Sequence, residues 1–181
     1  MDARVDVIAY GCTSATLSDG PEFDAAFSRK LTDLTGRPVV TTAGALVEAI
    51  RHIGASRVAF TSPYVKALST ESVKYLTDSN IDVLNEVVFD RELNSLEQNA
   101  LTPQDAYEMA LKADHPDAQA IVVSCTDYRA LEAVTAIEAF LEKPVITSNQ
   151  ALMFVCLKRL KIPHKDLIAG GRLFTHQAGQ P

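Results

Sequence analysis

"VDVIAYGCTSATLSDG", residues 5–20, places a glycine, a thiol and two hydroxyls directly after an apolar run. "AIVVSCTDYRALEA", residues 120–133, repeats the arrangement with an apolar run, Ser-Cys-Thr and then a helical pattern. Short apolar runs rich in β-branched residues predict buried strands. Strands that are apolar throughout and alternate with helices are typical of a parallel sheet covered on both faces. The two stretches therefore predict an α/β fold with a cysteine at the carboxyl ends of two strands.

The rest of the chain continues this alternation. The strands are predicted over residues 5–11, 38–40, 57–63, 81–89, 118–125 and 144–148. The helices are predicted over residues 21–36, 41–55, 69–80, 102–114, 128–143 and 149–162. Proline in the first turn of two of these helices, and Gly36 after the first of them, are typical helix boundaries. The polar segment 91–103 has no clear periodicity, so its structure stays open.

The sequence also contains a weak internal repeat. "GRPVVTTAGALVEAI", residues 36–50, follows the first cysteine stretch, and "EKPVITSNQALMFVCL", residues 142–157, follows the second. Each has a Pro-Val-Val/Ile-Thr strand that leads into an apolar helix. A strand, a Cys-Thr turn, a helix and a second strand therefore recur in the same order, which predicts two related halves.

Composition excludes several classes of protein. Of the 181 residues 47% are apolar, enough for a substantial core, and the net charge is −6 without any basic block, which argues against nucleic-acid and membrane-surface partners. No apolar stretch approaches the ~20 residues of a membrane-spanning helix. The cysteines, Cys12, Cys125 and Cys156, are odd in number and far apart, which indicates free thiols in a reducing cytoplasm. The sequence contains neither a CxxC nor an HExxH pattern, and a metal site is therefore not predicted.

The two cysteine turns are the candidate chemical centre. Ligands of parallel α/β sheets bind beyond the carboxyl ends of the strands, where both Cys12 and Cys125 are predicted. Backbone amides and helix N-termini can lower the pKa of a thiol there, and neighbouring Ser and Thr can donate to a carboxylate. A single cysteine in such a place is more often a small packing residue. Two in matching contexts favour a pair of reactive thiols, whereas Cys156 lies in an apolar helix and is expected to pack.

"AYGCTSAT" (9–16) and "IVVSCTDYRALEAV" (121–134) resemble the two cysteine motifs of the aspartate/glutamate racemase superfamily. The similar branch is that of the maleate cis-trans isomerases and arylmalonate decarboxylases. "FTSPYVKAL" (60–68) and "GGRLF" (170–174) follow in the order usual for that branch. The resemblance covers nearly the whole chain. It implies two pseudo-symmetric parallel-sheet lobes that face each other, the first of residues 1–45 plus 150–181 and the second of residues 46–149.

The resemblance also implies roles for individual residues. Cys12 would be the catalytic thiol of the first lobe and Cys125 that of the second. The implied substrate-binding residues are Thr13, Ser14, Tyr64, Asn94 and Thr126. Asn94 stands in "RELNS", where maleate isomerases have a carboxylate-binding asparagine.

The activity implied in this way is a cofactor-independent isomerisation of a small dicarboxylate, with maleate to fumarate as the leading interpretation. One thiolate adds to the alkene, the bond rotates, and elimination leaves the trans acid. Three alternatives stay open: a two-thiol racemase of an amino or hydroxy acid, an arylmalonate-type decarboxylase and an inactive member that only binds a carboxylate. The decarboxylases have glycine at the position of Cys12, which favours the isomerase. The resemblance further implies a homodimer.

The start of the chain departs from this pattern. Members of the branch usually begin with a strand and an asparagine-bearing loop, whereas here the strand that leads to Cys12 begins by Val5. We therefore expect the first lobe to lack its usual first strand.

Overall fold

The computed structural model describes residues 3–176, in which strands and helices alternate as predicted. The strands are β1 Ile8–Tyr10, β2 Val39–Thr41, β3 Arg57–Ser62, β4 Asp82–Val88, β5 Ala120–Val123 and β6 Val145–Thr147. The helices are α1 Ser14–Leu17, α2 Gly20–Thr35, α3 Thr42–His52, α4 Lys66–Asp78, α5 Ser95–Ala100, α6 Pro103–Ala113, α7 Val134–Leu141, α8 Ser148–Arg159 and α9 Arg172–Thr175. Short 3-10 turns occupy Leu131–Ala133 and Ile168–Gly170.

The strands form two parallel sheets. One contains β1 and β2, and the other contains four strands in the order β4-β3-β5-β6. Every pairing between these strands is parallel, as in the register of Ile8 with Val39 and of Ile121 with Val145. Parallel neighbours need a crossover, and the helices that follow each strand supply it. The predicted α/β class with parallel sheets is confirmed.

Both faces of the larger sheet are covered, because alternate residues of its central strand β5 enter different cores. Val122 packs in a cluster with residues of α3 and α8, whereas Ile121 packs in a cluster with residues of α6 and α7. Both side chains are completely buried. Each such burial stabilises the fold by about 1.5–3 kcal/mol, which explains why this strand is apolar throughout.

The internal repeat has a structural counterpart in the starts of α3 and α8. Thr41 ends β2 and caps α3, its side chain accepting the Gly44 N–H at 3.3 Å. Thr147 ends β6 and caps α8, its side chain accepting the Gln150 N–H at 3.2 Å. A threonine cap is typically worth about 1 kcal/mol. The repeated Pro-Val-x-Thr segment therefore builds the same strand-to-helix junction twice.

One segment whose structure the sequence leaves open forms a helix, and one predicted helix begins later than expected. The open segment 91–103 contains α5, which begins at a capping box between Asn94 and Glu97. The helix expected from Tyr128 begins later, with the 3-10 turn followed by α7. Cys125 has a left-handed φ of 140°, and the Ala130 N–H bonds back to the Tyr128 carbonyl. The chain therefore turns twice before it winds into a helix.

The "GGRLF" segment is held by Glu138 of α7. The buried carboxylate of Glu138 accepts the Val145 N–H at 2.9 Å and the Arg172 N–H at 3.0 Å. Burial raises the pKa of Glu138. Gly171 has a φ of 70°, and a Cβ there would lie 2.5 Å from Val134 Cγ1. The glycine is required by its conformation and by this close approach.

The strands of each sheet fall within the ranges predicted for the two lobes, because β1 and β2 precede residue 46 and β3–β6 precede residue 150. Helix α3, however, runs continuously across residues 45 and 46. The division into lobes therefore stays a prediction. Between residues 3 and 176, no helix has the length and apolar character needed to cross a membrane.

Candidate active site

The two cysteine turns meet beyond the carboxyl ends of β1 and β5. Cys12 is half-buried, and its Sγ lies 3.6 Å from Ser14 Oγ. Cys125 is only 5% exposed. The turns touch directly, because Thr126 Oγ1 donates to the carbonyl of Gly11 at 3.3 Å. Two turns that are far apart in the sequence thus lie against each other, each with one thiol.

Beneath the turns lies a chain of buried hydroxyls, Tyr64–Ser124–Ser148–Thr13, which we call the hydroxyl chain. Tyr64 Oη lies 3.4 Å from Ser124 Oγ, and Ser124 Oγ lies 3.4 Å from Ser148 Oγ. Thr13 Oγ1 donates to Ser148 Oγ at 3.1 Å, and the Cys125 N–H donates to the same oxygen at 3.0 Å. The hydroxyl chain connects Tyr64, the tyrosine predicted to bind a carboxylate, to both cysteine turns.

Three residues at these turns lie outside the predicted set. Ser124 and Ser148 belong to the hydroxyl chain, and Asn149 Nδ2 donates to the Thr126 carbonyl at 3.0 Å. The internal repeat could have pointed to Ser148, because the repeat places a hydroxyl residue directly after the capping threonine in both halves. The counterpart of Ser148 in the first half is Thr42, which follows the capping threonine and donates to the Tyr10 carbonyl at 2.9 Å. In both halves the residue after the cap therefore supports a cysteine turn.

Cys125 is a protonated thiol at neutral pH. Burial raises the pKa of Cys125 to about 11, against the lowering effect of the Asp127 backbone amide and of the Tyr64 hydroxyl. Its Sγ donates to Gln98 Oε1 at 3.8 Å, and that amide is oriented by a 3.0 Å bond from Gln98 Nε2 to the Leu93 carbonyl. The turn amide lowers this pKa, as expected, but desolvation outweighs it at Cys125, so the net pKa is raised.

This protonation can be tested in a Cys12→Ser/Cys156→Ser variant, whose remaining thiol is Cys125. We expect its iodoacetamide alkylation rate to keep rising with pH beyond the ordinary thiol value of 9.0 and to level off near about 11. The folded protein binds this proton more tightly than the unfolded chain does. The resulting stability is complete below pH 9.0 and is lost as the pH rises through about 11. A rate that levels off near pH 9 would contradict the assignment.

Of two other residues predicted to bind the substrate, Tyr64 lies beside Cys125, whereas Asn94 lies on the surface. Tyr64 is only 7% exposed and lies beside Cys125. Burial raises the pKa of Tyr64, so its hydroxyl is a neutral hydrogen-bond donor. Asn94 is exposed and caps α5, accepting the Leu96 N–H at 3.0 Å and the Glu97 N–H at 3.1 Å. The contact from α5 to Cys125 comes from Gln98. A role for Asn94 in binding a carboxylate stays a prediction.

The part of the chain from residue 3 to residue 176 contains no group of three or more His, Cys, Asp or Glu side chains placed to hold a metal ion. The groups at the cysteine turns are thiols, hydroxyls, carboxamides and backbone amides. They can add to a carbon, move a proton and hold carboxylate oxygens.

Comparison with known proteins assigns the chain to a family. The family model described as arylmalonate decarboxylase matches residues 2–174. The chain belongs to this family. It is 32% identical over 167 residues to a maleate isomerase of Geobacillus stearothermophilus, covering 89% of this chain and 66% of that protein. It is also 31% identical over 170 residues to one of Pseudomonas putida, covering 89% of this chain and 66% of that protein. The chain therefore spans slightly less than two thirds of the length of these relatives.

Solved structures of the family have the same fold. The maleate isomerase Iso(C200A) of Pseudomonas putida S16 with maleate has a TM-score of 0.90 at 32% identity, covering 96% of this chain and 71% of that one. The Nocardia farcinica maleate cis-trans isomerase C194S mutant with a covalently bound succinylcysteine intermediate has a TM-score of 0.90 at 26% identity, covering 97% and 74%. The predicted superfamily and its racemase-like fold are confirmed.

Proposed function

We propose that this chain is a cofactor-independent isomerase of a small dicarboxylate and converts maleate to fumarate. The observation that carries the proposal is the pairing of two unlike thiols. Cys12 is half-buried beside a hydroxyl, whereas Cys125 is buried and held as a thiol. One group suits addition to a carbon and the other suits proton donation. The family relatives named maleate isomerase support the same reaction.

In this mechanism the Cys12 thiolate forms a C–S bond to one alkene carbon of maleate. The π-electron pair moves into the carboxylate on the other carbon and gives an enediolate. The former double bond is now single and rotates. The electron pair then returns, the C–S bond breaks, and fumarate and the thiolate are released. Atoms and charge balance without a cofactor.

The developing charge of the enediolate needs fixed donors. Tyr64 and Ser14 would supply them through their hydroxyls. Thr13 and Thr126 would supply them through their backbone amides, because their hydroxyl hydrogens are donated to Ser148 and to the Gly11 carbonyl. Removal of one such preorganised donor costs enzymes about 2.7–4 kcal/mol of transition-state stabilisation. Cys125 would face the enediolate from the other turn. Its thiol would give its proton to the carbanionic carbon, forming a succinyl adduct on Cys12, and the resulting Cys125 thiolate would take a proton back from that carbon before the C–S bond breaks.

Proton NMR of the protein mixed with maleate tests this function, and we expect the maleate signal to be replaced by that of fumarate. Aspartate and phenylmalonate serve as the competing substrates. Deuterium uptake at the α-carbon of aspartate would indicate the racemase, and loss of carbon dioxide from phenylmalonate would indicate the decarboxylase. Maleate that binds but stays unchanged would indicate an inactive carboxylate binder and would contradict the proposal.

We also propose a homodimer, a cytoplasmic location and a two-lobed division of the chain. The free thiols of Cys12, Cys125 and Cys156 support a reducing compartment. The separate sheets β1-β2 and β4-β3-β5-β6 support the lobes. The dimer is supported by the family resemblance.

A further inference from the structure

Ser148 has a position in the site that the proposed reaction does not yet use. It is the first residue of α8, and its side chain is completely buried. Its oxygen is within hydrogen-bonding distance of Thr13, of Ser124 and of the Cys125 amide. Ser148 therefore contacts one residue next to Cys12, the backbone of Cys125 and the hydroxyl that leads to Tyr64.

The hydrogen-bond inventory of a hydroxyl determines how this chain is polarised. A serine hydroxyl has one hydrogen and accepts two bonds. Ser148 accepts from the Cys125 N–H and from Thr13, so its own hydrogen is left for Ser124. Ser124 then accepts from Ser148. A buried hydroxyl hydrogen needs an acceptor, and Tyr64 Oη, 3.4 Å away, is the remaining hydroxyl partner of Ser124, so the Ser124 hydrogen is assigned to it. Tyr64 accepts there, so its phenolic hydrogen is free for another acceptor.

The free hydrogen of Tyr64 belongs to a hydroxyl that stands next to the Cys125 thiol. The Tyr64 hydroxyl is near enough to that thiol to lower the pKa of Cys125, which places the phenol at the edge of the thiol site. A neutral tyrosine whose oxygen is already occupied by Ser124 can offer its hydrogen to a substrate carboxylate. Without Ser148, Ser124 loses its donor, and Tyr64 can turn its hydrogen inward to Ser124.

We propose that Ser148 is a positioning residue that polarises the hydroxyl chain, so that Tyr64 donates to a substrate carboxylate, and that it holds the amide of Cys125. This inference rests on the proposed function. Cys125 has a φ of 140°, a conformation that L side chains rarely adopt, and the Ser148 hydroxyl is the acceptor of its N–H. One buried hydroxyl thus orients both the acid and the carboxylate donor.

A double-mutant cycle tests the link from Ser148 to Tyr64. The probe is succinate, a saturated dicarboxylate, with its affinity measured by calorimetry. We expect Ser148→Ala and Tyr64→Phe each to weaken binding by about tenfold, which corresponds to one lost hydrogen bond. Because both remove the same donation, the double variant should also lose about tenfold and not about a hundredfold. A loss of about a hundredfold in the succinate affinity of the double variant would show that the two substitutions act independently and would overturn the proposal.

Two further variants separate positioning from general damage. Ser148→Thr keeps the hydroxyl, and Thr42 occupies the corresponding place in the first half, so we expect succinate affinity within about threefold of wild type. Ser72→Ala removes another buried hydroxyl, which donates to the Leu68 carbonyl within α4, and should leave the affinity unchanged. Should Ser148→Ala fail to fold, Ser124→Ala breaks the next link and should show the same non-additivity with Tyr64→Phe.

Alkylation of Cys125 tests the second role without turnover or ligand. Peptide mass spectrometry with iodoacetamide should give a rate for Cys125 at least about fivefold higher in Ser148→Ala than in Ser72→Ala, because its amide is released. An unchanged rate would overturn the proposal even if maleate is isomerised. A protein that fails to isomerise maleate but shows the rate increase would refute the proposed reaction and leave the positioning of Cys125 by Ser148 supported.

Discussion

Replacing Cys12 with alanine should reduce the conversion of maleate to fumarate by at least about a thousandfold in kcat, with little change in folding stability. The reason is that the reaction needs a C–S bond to turn the alkene into a rotatable single bond. No neighbouring group can take this role, because Cys125 is held as a thiol and Ser14 is a hydroxyl. The rate is measured by following fumarate by proton NMR.

Cys156→Ala is the matched control for this experiment. Cys156 is a half-buried thiol on α8 whose pKa is raised by burial, and it packs against the core. Its removal should change kcat by less than about twofold, since it lies outside the site. Activity of Cys12→Ala equal to that of Cys156→Ala would exclude thiolate addition by Cys12.

Replacing Cys125 with alanine should lower kcat by about a hundredfold to ten-thousandfold, the range expected for loss of a general acid. Thiolate addition by Cys12 does not require Cys125, so the adduct should still form and take its carbon-bound proton from water. Without Cys125 to remove that proton, it should persist. Intact-protein mass spectrometry after incubation with maleate should therefore detect one covalently bound equivalent, located by peptide mapping on Cys12. The succinylcysteine of the Nocardia farcinica C194S mutant shows that a cysteine adduct of this type can be observed in a relative.

Cys12→Ala/Cys125→Ala is the control for that adduct. This variant should carry no covalent equivalent, because neither thiol of the paired turns is left. An adduct located on Cys125 in Cys12→Ala would exchange the roles of the two cysteines. A Cys125→Ala variant that turns over maleate at the wild-type rate would exclude Cys125 as the acid.

Much of the local structure follows from short-range chemistry. A threonine at the end of an apolar run caps the next helix within three residues, as Thr41 and Thr147 do. Gly36 ends α2 in a left-handed conformation that most side chains disfavour. Because these effects act between near neighbours, the alternation of strands and helices and the Cys-Thr turns could be predicted from the residues themselves.

Contacts between distant residues could not be predicted in this way. Gln98 stands in a polar segment without clear periodicity, yet its amide receives the Cys125 thiol. Ser124 and Ser148 are ordinary hydroxyl residues until the fold packs β5 against the start of α8. Each of these roles depends on which segments meet.

The pair of cysteines at strand ends, the parallel α/β class and the family are properties of the sequence, because apolar periodicity and local motifs encode them. The unequal character of the two thiols is a property of the tertiary structure. Both cysteines follow apolar strands and precede threonine, but only Cys125 is enclosed, and burial raises its pKa to about 11. Desolvation depends on all the groups that exclude water from an atom. No single stretch of sequence contains those groups, so the difference in burial between the two thiols is decided only when the two turns pack together.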